Sequence, residues 1–339
     1  MKAKYTGRAP AARAMLAACL LPWMAHAQTS GPATSIVPGN ARGTVASDAL
    51  EQRRALERAN LLRQQQEQAP DVQLQPAPAA PPQRLPVGET PCSRIDTVTL
   101  AGDDAGRFLW LLDAIAGNNN IITNDGAPQP QCLGVRGIEQ VRQRAQDALN
   151  NRGYVTSRVL LQSQELASGT LTLTLLPGRI HAIRIAEPDS HRGTLWNAIP
   201  ARAGDILNLR DIEQGLENFK RVPGVETDIA IAPAEDAAPG ESDLVISYRQ
   251  AQPLRLSVSA DDSGTRATGR YQGAVTFSYD KWLTLNDLFY LSLNHDLGHN
   301  LGHHVNSGNA DNHGTSGGTL HYSLPLGYWL LGTTVSRNR

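Results

Sequence analysis

From residue 254 onward, apolar and polar residues alternate with a period of two, as in Leu254 and Leu256 against Arg255 and Ser257. Later segments begin near Tyr271, Phe289, Leu320 and Tyr328. Such alternation predicts strands that have one apolar and one polar face. Strands of about ten residues with aromatics near their ends are typical of outer-membrane β-barrels, and a soluble β-sandwich gives a similar pattern. The alternation alone leaves both architectures open.

Between residues 92 and 250, helical and strand periodicities predict the element order β-α-α-β-β twice. The first set covers 95–100, 108–116, 138–149, 154–161 and 170–176. The second covers 179–186, 194–198, a helix from Asn208 to Pro223, 225–232 and 243–249. Each set predicts a three-stranded sheet with its helices on one face. A repeated element order indicates two tandem α/β domains.

A small sheet covered on one face leaves an edge strand that can accept an extended peptide. Peptide handling is therefore one hypothesis for the tandem domains, and a purely structural spacer is the alternative. In the second domain, we expect a partner to contact the polar side of the long helix. The residues predicted to bind this partner are Arg210, Asp211, Glu213, Gln214, Glu217 and Asn218.

The first 27 residues have the parts of a bacterial export signal. Basic residues up to Arg13 precede a short apolar stretch at 14–21, and Ala25-His26-Ala27 forms a cleavage site. An alternative is lipoprotein processing at Cys19, but only five residues separate that cysteine from Arg13. Residues 28–47 form an N-terminal extension in this interpretation.

Residues 48–68 contain neither Pro nor Gly and predict a helix, which Asp48 and Glu51 can cap. Its charged residues include Arg53, Arg54, Glu57, Arg58 and Arg63. The apolar face is thin, so the helix is either solvated or housed in a polar cavity. Residues 69–91 contain seven prolines and predict an extended polyproline linker.

The 339 residues carry 31 Lys+Arg and 32 Asp+Glu, which gives a net charge of −1. This balance argues against a nucleic-acid partner. A helical membrane span is excluded because the chain has no run of about 18 apolar residues. Once the export signal is removed, Cys92 and Cys132 remain and are expected to pair in an oxidising compartment. Two buried free thiols are the alternative.

Two patterns suggest other chemistry. Asp262-Ser263-Gly264 and His313-Gly314-Thr315 look like boxes of subtilisin-type proteases, yet they lie among strands and turns without a downstream serine elbow. The histidines of a possible metal cluster are His295, His299, His303, His304 and His313. They occupy a Gly- and Asn-rich stretch that is more typical of a surface loop. We therefore expect no enzyme, no metal site and no cofactor.

Ordered short motifs run through the sequence beyond the leader. They are Cys132-Leu133-Gly134, 152–159 (RGYVTSRV), Pro177-Gly178-Arg179-Ile180, 207–218 (LNLRDIEQGLEN), Asp261-Asp262-Ser263-Gly264, 268–273 (TGRYQG) and Leu285-Asn286-Asp287-Leu288. Together they resemble the outer-membrane transporters of two-partner secretion (TpsB), the ShlB/FhaC/HecB haemolysin secretion and activation family.

The resemblance implies a multi-domain protein in the bacterial outer membrane, with its POTRA domains in the periplasm. It implies a plug helix at 48–68, a linker at 69–91, two POTRA domains at 92–177 and 178–250, and the first strands of a transmembrane antiparallel β-barrel at 251–339. Cys92 and Cys132 match a bridge in the first POTRA domain. The implied partners are outer-membrane lipid and an unfolded TpsA-like exoprotein (haemolysin, adhesin or contact-dependent inhibition type), which is captured through its N-terminal secretion domain. The resemblance implies no cofactor.

The sequence departs from this family because five strands are too few for a spanning barrel, which needs about eight. The long pore loop of the family is also missing. We therefore expect the sequence to be an N-terminal fragment or a truncated product. Two alternatives stay open: a barrel-assembly factor of the BamA-like superfamily, and a surface adhesin or protease presented by a barrel. Two POTRA domains with a plug helix disfavour the first, and a downstream serine box would favour the second.

Overall fold

The computed structural model divides the chain into two units, Met1–Arg54 and Ala55–Arg339. It describes residues 53, 56–57, 59–67, 70–74, 85–116, 123–124, 127–128, 131–186, 193–235, 237–262, 271–298 and 316–338. In the first unit only Arg53 is described, and it is helical and exposed. The predicted export signal and the extension at 28–47 therefore lie outside the described residues.

The predicted N-terminal helix is present in the second unit, where the backbone is helical at 56–57 and 59–66 (α1). Its exposed side chains include Leu56 and Leu61, as expected for a helix with a thin apolar face. Gln66, in contrast, is buried. One end of this helix is therefore packed against the rest of the unit.

The first tandem domain has a three-stranded sheet of order β2-β7-β6. Its elements are β1 (Ser93–Ile95), β2 (Thr97–Gly102), a 3-10 turn (Ala105–Phe108), α2 (Trp110–Ala116), β3 (Thr123–Asn124), β4 (Ala127–Pro128), β5 (Gln131–Leu133), α3 (Val135–Asn151), β6 (Arg158–Leu160), a 3-10 turn (Leu166–Ser168) and β7 (Thr170–Leu176). The central strand β7 runs parallel to β2 and antiparallel to β6. Val141, Ala145 and Leu149 of α3 pack against alternate residues of β7 in one core.

Two details differ from the predicted elements. The strand expected at 154–161 is limited to Arg158–Leu160, because Tyr154 turns aside to form an aromatic cluster with Phe108 and Trp110. The strands β1 and β5 pair with each other in a separate small ladder. Three-residue strands carry too little alternation for a period of two to reveal them.

The second tandem domain repeats the plan, with a sheet of order β8-β10-β9. Its elements are β8 (Arg179–Ile185), α4 (Leu195–Ala198), α5 (Leu209–Lys220), β9 (Val225–Pro233) and β10 (Glu241–Gln250). The Asn208 side chain accepts a hydrogen bond from the Arg210 backbone N–H and caps α5. Ile212, Leu216 and Phe219 of this helix are buried over the sheet, as the helical spacing predicted.

The alternating segments form one antiparallel sheet, in chain order from β11 to β15. The strands are β11 (Leu254–Asp261), β12 (Tyr271–Asp280), β13 (Leu288–Gly298), β14 (Ser316–Leu326) and β15 (Trp329–Asn338). One cross-strand row is apolar throughout: Leu256, Phe277, Leu291, Leu320 and Val335. Most of these side chains are exposed; Val335, for example, is 63 % exposed. The adjacent row, on the opposite face, is polar and is described below.

Within the described residues, no helix is both long and apolar enough to cross a membrane. The same part of the chain contains no group of three or more His, Cys, Asp or Glu side chains placed to hold a metal. Ser263 and the histidines at 299, 303, 304 and 313 lie outside the described residues.

Candidate functional site

The polar face of the five-stranded sheet carries a continuous row of hydrogen-bonding side chains. The row contains Arg255, Ser278, Tyr290, His321 and Thr334, one residue from each strand. The His321 and Tyr290 rings stack with centroids 4.8 Å apart, and Nδ1 of His321 lies 2.7 Å from Oγ1 of Thr334. Strand pleating places all five on one side of the sheet.

The end of α1 lies on this polar row. The Ser278 hydroxyl donates to Oε1 of Gln66, and Oε1 of Glu67 lies 3.1 Å from Nε2 of His321. The Ser323 hydroxyl also donates to Glu67. A cavity of about 250 Å³ beside these contacts is lined partly by Arg63 and Glu67. Gln66, the last residue of α1, and Glu67, the residue after it, thus reach two non-adjacent strands.

Arg221, at the end of α5, joins the second tandem domain to both α1 and the sheet. Its guanidinium donates to the Ser323 hydroxyl and to the Asn286 carbonyl oxygen, each at 2.9 Å, and lies 4.0 Å from the Glu67 carboxylate. Arg221 is only 8 % exposed. Burial lowers the pKa of Arg221 from its usual value, and the Glu67 carboxylate opposes that shift.

Two asparagines fix the second domain against the sheet turns. Asn197 of α4 donates to the Pro325 carbonyl oxygen at 3.2 Å, and its own backbone oxygen accepts the Gly327 N–H at 2.7 Å. Asn218 of α5 donates to the Gly327 carbonyl oxygen at 2.7 Å. Gly327 has a φ of +59°, a conformation that glycine adopts without strain.

The motif Leu285-Asn286-Asp287-Leu288 forms the opposite side of this contact. Asn286 is fully buried and donates to the Thr194 carbonyl oxygen and to Oδ1 of Asn197. Asp287 accepts the backbone N–H groups of Leu283 and Leu285 and so closes the turn. The motif that contributed to the family resemblance thus builds a domain contact.

Three other motifs meet where the tandem domains join. The Gly153 carbonyl oxygen accepts the Leu209 N–H at 2.8 Å, and the Gly178 carbonyl oxygen accepts the Leu207 N–H at 2.9 Å. The Ser157 hydroxyl accepts the Gly178 N–H at 3.0 Å. The Gly153–Leu209 and Ser157–Gly178 bonds connect the two domains.

Residues that follow α1 are attached to α5 of the second domain. The Leu74 backbone N–H donates to Oε1 of Glu213 at 2.8 Å, and Val72 and Leu74 pack against the domain core. The Arg210 guanidinium donates to the other carboxylate oxygen of Glu213 at 2.7 Å. Glu213 is only 6 % exposed.

The end of the linker is attached to the first domain. The Glu89 carboxylate accepts the N–H groups of Gly134 and Gly137, at 2.8 and 3.0 Å, at the start of α3. Leu85 is 2 % exposed in the first core. Cys92 and Cys132 form a disulfide with their Cα atoms 5.4 Å apart. The extended linker predicted at 69–91 is therefore held at two places, and 75–84 lies outside the described residues.

The six residues predicted to bind a partner lie on α5, but they do not form one open polar face. Asp211 accepts a hydrogen bond from the Tyr328 hydroxyl, and Gln214 donates to Oδ1 of Asn218 at 3.3 Å. Glu213 and Asn218 are buried. An amphipathic pattern shows which side of a helix is polar, but it does not show whether water or another polar element covers that side.

Of the charged residues expected on the N-terminal helix, the structure describes Arg53, Glu57 and Arg63. Arg63 is 63 % exposed and lies 3.8 Å from Glu67 on its own helix, Glu57 is exposed, and Arg54 and Arg58 lie outside the described residues. Gln66 and Glu67, which the sequence interpretation did not select, make the contacts with the sheet.

Matches to known protein families follow the same order of domains along the chain. Residues 126–178 match the POTRA domain of ShlB type, 179–233 match a POTRA domain, and 240–339 match the family described as haemolysin secretion/activation protein ShlB/FhaC/HecB. The fold and the matches define a chain with POTRA domains and barrel-type strands from a family of protein transporters, not of enzymes. The chain belongs to the ShlB/FhaC/HecB family of two-partner secretion transporters, which confirms the family predicted from the sequence.

Individual relatives support the same family assignment. The chain is 38 % identical over 271 residues to the outer membrane transporter CdiB-2 of Burkholderia pseudomallei, covering 77 % of this chain and 44 % of that protein. It is 27 % identical over 202 residues to the hemolysin transporter protein ShlB of Serratia marcescens, covering 60 % and 34 %. The chain thus spans less than half the length of these relatives. The predicted outer-membrane location is confirmed.

A solved structure shares the fold. CdiB from Acinetobacter baumannii superposes with a TM-score of 0.69 at 29 % sequence identity, over 86 % of this chain and 52 % of that one. The predicted fold class, two POTRA domains followed by antiparallel strands of barrel type, is confirmed.

Proposed function

We propose that this protein acts in two-partner (type Vb) secretion, capturing an unfolded exoprotein in the periplasm and moving it through a β-barrel pore. The observation that carries the proposal is the contact of Gln66 and Glu67 with the polar face of the sheet. The opposite face is apolar and exposed, which suits outer-membrane lipid, whereas a polar face suits an aqueous pore. The helix thus lies where it can obstruct passage.

The proposed division is a plug helix at 48–68, a linker at 69–91, POTRA domains at 92–177 and 178–250, and the start of the barrel at 251–339. The proposed cargo is a TpsA-like exoprotein, recognised through its N-terminal secretion domain. The proposed cargo classes are a haemolysin, an adhesin or a contact-dependent inhibition protein. The hemolysin transporter among the relatives supports the first of these.

We propose that the exoprotein is captured by the side of α5 that faces away from the five-stranded sheet. Asp211 and Asn218 hold sheet turns and serve the domain contact instead. Among the six predicted residues, those left for the cargo are Arg210, Glu213, Gln214 and Glu217. An unfolded cargo offers free main-chain N–H groups, which a carboxylate such as that of Glu213 can accept.

Two measurements on the full-length protein test this function. Removing residues 48–68 should raise the conductance of the protein in planar bilayers while leaving secretion largely intact. Co-expression with the exoprotein encoded by the adjacent gene should release that exoprotein into the medium, and removing residues 92–250 should stop the release. Unchanged conductance would place the helix outside the pore, and release without the POTRA domains would refute capture by them.

A further inference from the structure

The residues after α1 lie on the second POTRA domain, and their burial alternates as it would along an extended chain. Asp71 and Gln73 are exposed, whereas Val72 and Leu74 are half-buried against the domain core. Side chains two residues apart point to the same side of an extended chain. The segment therefore contacts the domain with one apolar face and leaves the other to solvent.

A single polar contact fixes the register of this segment. Oε1 of Glu213 accepts the Leu74 N–H at 2.8 Å, while Oε2 receives the Arg210 guanidinium at 2.7 Å. Since Glu213 is 6 % exposed, its carboxylate needs donors from the protein. Arg210 supplies one donor, and the other is a main-chain N–H that any extended chain carries.

We propose that this surface, which we call the Glu213 seat, binds an extended segment of the exported partner, and that residues 72–74 occupy it until the partner displaces them. The Glu213 seat is defined by Glu213, Arg210 and the core surface beneath Val72 and Leu74. The partner segment has apolar side chains at two positions two residues apart and a free N–H on the second. The inference rests on the proposed function, since it names the site of capture.

Attachment in the same chain makes the internal segment an effective competitor. Linkage within one chain gives an effective concentration on the order of millimolar. If the segment alone binds with a Kd of roughly 0.1 mM, it stays mostly bound and weakens partner binding about tenfold. The partner then binds only if its affinity exceeds this threshold.

The test uses full-length protein in detergent and a fluorescein-labelled peptide with the sequence of residues 69–76. In the double variant Val72→Ser/Leu74→Ser, the seat should be vacated, and the peptide should bind at least tenfold more tightly than to the wild-type protein. Gln73→Ser, which alters an exposed side chain between them, should behave as wild type. Equal peptide affinity for the double variant and the wild-type protein would overturn the proposal.

A third substitution separates the seat from general surface adhesion. Adding Glu213→Ala to the double variant should weaken peptide binding at least tenfold, whereas adding Lys220→Ala, two turns further along α5, should not. A peptide with serine at the positions of Val72 and Leu74 should not bind. Equal losses from both α5 substitutions would refute the assigned register.

The partner is then tested by displacement of the peptide from the double variant with the secretion domain of the exoprotein. Displacement supports the proposal. If the secretion domain does not displace the peptide, although the protein still secretes the exoprotein, the Glu213 seat is not the capture site. The proposed transport function would then still stand. Absence of secretion by the wild-type protein would instead overturn the proposed function.

Discussion

The carboxylate of Glu67 lies 3.1 Å from the imidazole of His321, 254 residues away in sequence. Through this contact, the end of α1 is held by the middle of the polar row on the sheet. Arg221 approaches the same carboxylate from the second POTRA domain at 4.0 Å. Three parts of the protein therefore depend on one acidic side chain.

We expect Glu67→Ala to weaken attachment of the helix to the sheet, since His321, Ser323 and Arg221 each lose a partner. The loss of a charged hydrogen-bond acceptor corresponds to about 2–3 kcal/mol. Single-channel recordings of the full-length protein should show a larger open fraction. Gln65→Ala changes an exposed residue of the same helix and should give wild-type recordings. Identical recordings for both variants would contradict the assigned contact.

Arg221→Met should loosen two distant segments at once. The substitution removes the donors to Ser323 and to the Asn286 carbonyl oxygen, and buried groups left without a partner cost about 1–3 kcal/mol each. Hydrogen exchange should accelerate both in the last turn of α5 and at 283–287. Lys220→Met, at the adjacent position, serves as the control. Faster exchange in only one segment would show that Arg221 does not connect them.

Cys132→Ser should destabilise the first POTRA domain by about 2–4 kcal/mol, because it opens a loop between positions separated by 40 residues. Chemical unfolding followed by the Trp110 fluorescence measures the change. Reduction of the wild-type protein should reproduce it, and the second POTRA domain should be unaffected. Free thiols at both cysteines in a non-reduced digest of periplasmic protein would refute the bridge.

A soluble fragment of the POTRA pair should need residues upstream of Cys92. Leu85 is buried in the first core, and Glu89 caps α3. We expect fragment 85–250 to be more stable than 92–250 by about 2–5 kcal/mol, the usual loss for an emptied leucine site. Urea unfolding of both fragments measures this difference. Equal midpoints would mean that the linker end adds no stability.

Leu216→Ala should lower the stability of the second POTRA domain by about 2–5 kcal/mol, because Leu216 is 2 % exposed in its core. Glu217→Ala, the adjacent position, should change stability by less than about 0.5 kcal/mol. Thermal unfolding of the 85–250 fragment compares the two. Equal effects would argue against the helical register of α5.

The sequence predicted the elements in which the pattern of apolar and polar residues continues over many positions. Ile212, Leu216 and Phe219 repeat at helical spacing over α5, and alternation along β12 predicted its two faces correctly. The contacts of Gln66 and Glu67 could not be predicted in this way, because their partners are more than 200 residues away. Neither residue breaks a local pattern.

The polar contacts between domains could not be predicted from the sequence either. Asn197 and Asn218 look like solvent-facing residues of short helices, yet both are buried against sheet turns. Side-chain chemistry alone does not distinguish a hydrogen bond to water from one to a carbonyl oxygen. The contact depends on how the two domains are oriented, and no short-range periodicity encodes that orientation.

The hydrogen bond between Leu74 and Glu213 limits how far the end of α1 can move. Val72 is five positions after Glu67, and a fully extended chain over five residue steps spans about 17 Å. While Val72 and Leu74 remain on α5, the helix end can retreat no farther than this distance. If they detach, the next anchor is Leu85, 18 residues from Glu67, and the reach grows to about 60 Å. Occupancy of one small surface on a POTRA domain thereby decides whether the helix can only shift within the proposed pore or can leave it altogether.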